Sequence, residues 1–160
     1  MIKTNAKIVF VINRRIFNGK LTRLFTGCYC YHVGILIDDK FYDVSPFTGR
    51  RVKKYEPIHY KHDQHVIFDA PVDIIEYFLI DQIDNYNVHY GFLDYVLYLI
   101  KPLKRIFPTM KLFNPHGLIC SEQVNNDMID SKWTSPWHKD EHPPSPCEML
   151  KYFSNRYTHK

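Results

Sequence analysis

The sequence predicts an α+β domain in which a small antiparallel sheet packs against helices. Short β-branched runs separated by turn residues crowd the first seventy positions. Amphipathic runs with three- and four-residue spacing dominate afterwards. The two kinds of element are segregated along the chain instead of alternating, which is the α+β pattern. At 160 residues the chain suits one domain over 1–160.

The elements follow in order. Lys7-Ile8-Val9-Phe10-Val11-Ile12 is a buried strand, short, β-branched and bounded by polar residues. Asn13 to Gly27 is basic, and Leu21, Leu24 and Phe25 recur at helical spacing, which predicts a short helix or ordered loop. Tyr31 to Ile37 is a second strand, Asp38-Asp39-Lys40 a turn, and Phe41 to Val44 a third strand closing a hairpin. Arg51 to Tyr55 and His65 to Phe68 add further strands.

Pro71 is suited to the first turn of a helix, and Val72, Ile75, Leu79, Ile83 and Tyr86 would give that helix one apolar face. Tyr90 to Ile100 is a second helix ended by Pro102, and Leu103 to Gly117 a loop rich in proline and basic residues. Cys120 to Ile129 is a third helix, with Val124 and Met128 on one side. Asp130 to Pro146 is irregular, and Cys147 to Phe153 closes the chain with a short helix.

Composition excludes some classes. Apolar residues make up 45%, too many for a disordered chain. The longest apolar stretch, Tyr95 to Ile100, is too short to span a bilayer, and no signal peptide follows Met1, so a cytoplasmic or virion-associated protein is expected. Four cysteines are few for a disulfide scaffold, and Cys28, Cys30, Cys120 and Cys147 read as thiols of a reducing compartment.

Lys and Arg exceed Asp and Glu by 21 to 17, a net of +4. Six basic residues and no acid lie between Met1 and Phe25, so the remainder carries a net of −2. Such a segment favours an anionic neighbour such as a lipid surface, a cell-wall polymer or nucleic acid, or else is a solvated face. No nucleic-acid motif accompanies it, so no specific nucleic acid is expected.

Three residues carry chemistry. Cys120 starts a helix, where the macrodipole favours thiolate and unpaired backbone N–H groups can hold an oxyanion. His32 enters an apolar strand and is held rigidly, while Gly34, two residues on, leaves room on the same sheet face. Asp43, across the hairpin turn, can accept a hydrogen bond from one imidazole nitrogen and leave the other for sulfur. The plainer alternatives are a buried thiol, a half-buried histidine bonded to a carbonyl and a strand-end aspartate.

Two histidine-rich runs are candidate metal sites. His59, His62 and His65 with Asp63, and His138 and His142 with Asp140, have loose spacing that does not force their rings to converge. Solvated loops are the expectation there, with no metal.

Taken together, Ile8-Val9-Phe10-Val11, the basic segment, Thr26-Gly27, Tyr31-His32-Val33-Gly34-Ile35, Asp43-Val44-Ser45-Pro46 and Cys120-Ser121-Glu122 resemble the circularly permuted papain-like cysteine hydrolases. This is the NlpC-type superfamily, which includes lecithin:retinol acyltransferase-like proteins. The resemblance covers Lys7 to Val124, and Pro144 to Leu150 is similar to the family's closing segment.

The resemblance implies a nucleophile at Cys120, a base at His32 and an orienting group at Asp43. Tyr31 stands where many relatives carry a small residue such as serine; its bulk would narrow a cleft, or its hydroxyl would assist an oxyanion. Ser121 is the other candidate for oxyanion or substrate binding. The implied activity is thiol-dependent hydrolysis of amide bonds, with peptide or peptidoglycan-like substrates foremost and no cofactor. The alternatives are acyl transfer or ester cleavage on acyl lipids, and a catalytically silent module of a virion or secretion assembly.

Overall fold

A computed structural model describes residues 5–45, 49–57, 61–74, 76, 79–80, 120–137 and 144–157. Among them the chain forms β1 (Lys7–Ile12), α1 (Phe17–Thr26), β2 (Cys30–Ile37), β3 (Lys40–Ser45), β4 (Gly49–Lys54), β5 (Gln64–Asp69), α2 (Cys120–Asp130) and α3 (Pro146–Tyr157). The five strands make one sheet in the order β4-β3-β2-β1-β5, and every neighbouring pair is antiparallel. The architecture is therefore α+β, as the segregation of strands and helices predicts.

Alternation along the strands sets two faces. Ile8 and Phe10 of β1, Val33, Ile35 and Ile37 of β2, and Tyr42 of β3 join Val124 and Met128 of α2 and Met149 and Phe153 of α3 in the main core. Val9, Leu36 and Phe41 form a smaller cluster, with Tyr55 packed against it. Phe10 is central to the main core, its ring centroid 5.9 Å from those of both Phe68 and Phe153.

Local chemistry explains the turns. The β2–β3 hairpin reverses at Asp38-Asp39, with Ile37 opposite Lys40 and Asp38 at φ 53°, a left-handed geometry that aspartate tolerates. Helix α3 starts on a capping box. Glu148 N–H donates to Ser145 Oγ at 3.0 Å, and Ser145 N–H donates to the Glu148 carboxylate at 2.8 Å. Helix α1 ends at Gly27 (φ 80°), whose N–H bonds the Arg23 carbonyl at 2.9 Å.

Several expectations need correction. Pro71 and Val72 lie in a bend, and among the described residues of that stretch helix is present at Glu76, Leu79 and Ile80. That segment is fixed to β3, because Glu76 accepts hydrogen bonds from Lys40 Nζ (2.8 Å) and Tyr42 Oη (2.6 Å). The expected Tyr90–Ile100 helix and the loop over 103–117 lie outside the described residues. Helix α3 runs about one turn beyond the expected end at Phe153, to Tyr157.

The cysteine reading is also overturned. Cys28 and Cys147 are joined in a disulfide, with Cα atoms 6.0 Å apart, while Cys30 and Cys120 are free thiols. Counting cysteines missed this because the partners lie 119 residues apart. The inference of a reducing compartment loses its premise for these two. No helix among the described residues is long and apolar enough to cross a membrane.

Candidate active site

The site grows from an irregularity in β2. The β1–β2 ladder pairs Val11 with His32 but Ile12 with Cys30, so Tyr31 is an extra residue without a counterpart. A bulge of this kind bends a strand and re-aims the side chains beside it. Here both Cys30 and His32 come close to Cys120, the first residue of α2.

His32 is the hub. Its Nε2–H donates to Asp43 Oδ2 at 2.9 Å. The Cys120 side chain lies close enough to the ring to raise its proton affinity. The paired stretch of β2 and β3 covers Ile35–Ile37 against Lys40–Tyr42, and Asp43 reaches His32 just beyond it. The structure thus brings Cys120, His32 and Asp43 together.

Asp43 is gripped from its other side by β4. Arg51 lies opposite Asp43 in the ladder and donates from Nε to Oδ1 (2.7 Å) and from an Nη to Oδ2 (3.1 Å). Lys53 Nζ stands 3.5 Å from Oδ2. Burial alone would raise the Asp43 carboxyl. The hydrogen bonds from His32 and Arg51 and the charges of His32 and Lys53 outweigh burial and hold it well below the usual carboxylate range.

Burial likewise works against the imidazolium of His32. The charge on Cys120, the hydrogen bonds to Asp43 and Cys120, and the charge of Asp43 prevail and push His32 up to about 9. That balance keeps the imidazole protonated at neutral pH. Cys30 behaves differently. Burial, reinforced by the nearby Cys120 charge, raises it far above its ordinary range, so it remains a thiol.

The room expected beside Gly34 is already filled. A Cβ on Gly34 would stand 2.5 Å from Cζ of Phe41 and 2.7 Å from the Tyr42 carbonyl oxygen. Phe41 uses that space and meets His32 edge-on, with ring centroids 6.2 Å apart. Glycine here serves packing that steadies the histidine, and substrate has no entry through it. The imidazole is the more accessible end of the pair: the His32 side chain is 18% exposed, whereas Cys120 is 3% exposed.

Tyr31 stacks beside His32, and its hydroxyl is engaged with the Asp63 carboxylate at 3.3 and 3.4 Å. Ser121 is fully buried, and its Oγ makes no hydrogen bond among the described residues. The histidine-rich run is dispersed. Arg15 donates to His62 Nε2 (2.8 Å), Asn13 donates to Asp63 (2.7 Å), and Tyr55 Oη meets His65 Nδ1 (2.6 Å). His59, His138, Asp140 and His142 lie outside the described residues. No group of three His, Cys, Asp or Glu suited to a metal occurs among the described residues.

Sequence reasoning missed the supports of α2. Arg50 of β4 donates to Asp127 Oδ1 at 2.7 Å, and Gln123 Nε2 donates to the same oxygen at 2.8 Å. Arg50 and Asp127 are both buried. This pair anchors the helix that presents Cys120, and breaking one side of such a pair costs about 3–5 kcal/mol. The available signal was the β3–β4 hairpin, which puts Arg50 and Arg51 on opposite faces. One then turns toward α2 and the other toward Asp43.

Comparison with protein-family models, curated proteins and solved structures finds no match to this chain.

Proposed function

We propose that this chain is a thiol-dependent hydrolase of permuted papain-like, NlpC-type design, with Cys120 as nucleophile, His32 as base and Asp43 as the orienting group. One observation carries the reading: the His32 ring bonds the Asp43 carboxylate at 2.9 Å and lies close enough to the Cys120 side chain for each to influence the other's charge. The strand-borne histidine preceding a helix-borne cysteine in the chain supports the permuted design. The proposed bond class is the amide, with cell-wall peptide foremost.

The chemistry follows from these groups. The Cys120 thiolate attacks the carbonyl carbon, and the C=O electron pair moves to oxygen. Backbone N–H groups in the first turn of α2 have no intrahelical acceptor and can hold that oxyanion. The tetrahedral species collapses, the C–N bond breaks, and imidazolium gives its proton to the leaving amine. Water then gives a proton to His32 and attacks the thioester, releasing the acid and restoring the thiolate–imidazolium pair. Asp43 holds the ring in the orientation this shuttle needs, and Arg51 holds Asp43.

The test is mass spectrometry of the protein incubated with muropeptides or with acyl lipids, seeking an acyl adduct on Cys120. The expected result is an adduct from peptide substrates that disappears in Cys120→Ala. Adducts from lipids alone would move the assignment to acyl transfer. No adduct, with alkylating probes labelling Cys30 and Cys120 equally, would leave a non-catalytic module.

A further inference from the structure

We infer that α1 is an interfacial docking element for anionic bilayers, holding the Cys120–His32 end of the sheet against a lipid surface. The docking stands on α1 itself; that it brings a reactive thiol to the bilayer surface rests on the thiol-site reading above.

Among the described side chains of α1, Gly19 and Thr22 are buried. A Cβ at Gly19 would stand only 1.7 Å from the Asn13 carbonyl oxygen, so only glycine allows this close approach. The outward arc carries Phe17 and Leu24, 74% and 76% exposed, the two most exposed large apolar side chains among the described residues. They are seven residues apart, about two turns, and so point the same way.

Basic groups surround them. Lys20 lies between them on the exposed arc, and Arg14, Arg15 and Arg23 are exposed nearby. Arg23 and Arg14 lie over the Tyr29 ring at 4.8 and 5.6 Å, and Arg14, Lys20, Arg23, Leu24 and Tyr29 line one groove. No acidic residue precedes Asp38 in the chain. Two apolar side chains projecting from a cationic rim complement a surface with anionic headgroups over hydrocarbon. Nucleic acid would use the cations and a ring, but it offers Leu24 no apolar layer.

The placement matters for chemistry. Helix α1 connects the Ile12 end of β1 to the Cys30 start of β2. Cys30 and His32 occupy that same end of the sheet. A bilayer meeting α1 therefore meets the end of the molecule that carries the thiol site.

The experiment is cosedimentation of the full chain with vesicles of phosphatidylcholine, with and without phosphatidylserine. Wild type is expected to bind only the anionic vesicles, more weakly as salt rises. Phe17→Ser/Leu24→Ser should weaken binding roughly tenfold or more without changing the melting temperature. Lys20→Glu should weaken it at least roughly fivefold, and Cys120→Ala should leave it unchanged. Absence of vesicle binding, equal binding by all variants, or RNA binding lost in Lys20→Glu while vesicles are ignored would each overturn the proposal, as would a homodimer that dissociates in the double variant. Binding without an acyl adduct would keep the docking role and remove the thiol reading. An adduct without binding would do the reverse.

Discussion

Arg51 grips both oxygens of Asp43, at 2.7 and 3.1 Å, from the directly opposite position on β4. The carboxylate that orients His32 is itself oriented by a planar fork, which a flexible ammonium cannot reproduce. Removing the fork frees the carboxylate to rotate between His32 and Lys53. Arg51→Met is expected to lower turnover by on the order of tenfold through misplacement of the imidazole. Arg51→Lys should recover only part of the loss. The measurement is the rate of Cys120 alkylation by iodoacetamide alongside the His32 ring titration followed by NMR. An unchanged titration with unchanged alkylation would assign Arg51 to surface solvation alone.

The pH response has a definite sign. His32 is a base whose folded value, about 9, lies above its ordinary 6.5. Its stabilising contribution is complete below 6.5 and is lost as pH rises through about 9. Asp43 acts at the other end: its folded value lies below the ordinary 3.8, so its contribution is present above 3.8 and lost in strong acid. Thermal melts of wild type and His32→Gln should therefore differ most below pH 6.5 and converge toward about pH 9. Turnover should fail over the same upper limb, where the leaving group loses its proton donor. A gap in melting temperature that widens with alkalinity contradicts the assignment.

Gly34 and Gly27 offer a matched pair of alanine substitutions. At Gly34 the added methyl would press on Phe41 and on the Tyr42 backbone, which cannot move far. A loss of about 1–3 kcal/mol is expected there, together with slower alkylation of Cys120, because Phe41 packs against His32. At Gly27 nothing lies within 4 Å of the added atom, and only the φ of +80° opposes it. That change should cost about 1 kcal/mol and leave alkylation unaltered. Denaturant melts and labelling rates read both effects.

The disulfide predicts a thiol count. Unreduced protein unfolded in guanidinium should titrate two thiols, Cys30 and Cys120, and reduced protein all four cysteines. Reduction, or Cys28→Ala/Cys147→Ala, should lower stability by about 2–5 kcal/mol, since the bond closes a long loop in the unfolded chain. Because Cys147 sulfur also lies 3.6 Å from the Cys30 carbonyl oxygen, the start of β2 should loosen on reduction. Faster amide exchange at Cys30 to His32 would register it. Four thiols in the unreduced protein would refute the pairing.

Features that depend on chain neighbours are legible in the sequence. Five strands, the Asp38-Asp39 turn, and helices beginning near Cys120 and Cys147 follow from periodicity and turn chemistry, which act over a few residues. Cys120, His32 and Asp43 stand out by their places at a helix start, a strand entry and a hairpin partner. Which distant groups meet is set by the three-dimensional fold. Nothing local to Cys28 selects Cys147, nothing local to Arg50 selects Asp127, and the space beside Gly34 belongs to Phe41 through a cross-strand contact. Leu24 shows the same limit from the other direction. Its spacing fits a helix, yet spacing cannot say which side of that helix the rest of the molecule covers, and the fold leaves Leu24 bare beside Phe17. Burial, charge pairing and sulfur pairing are set by proximity in space, and a chain written in one dimension carries that information only through the fold it adopts.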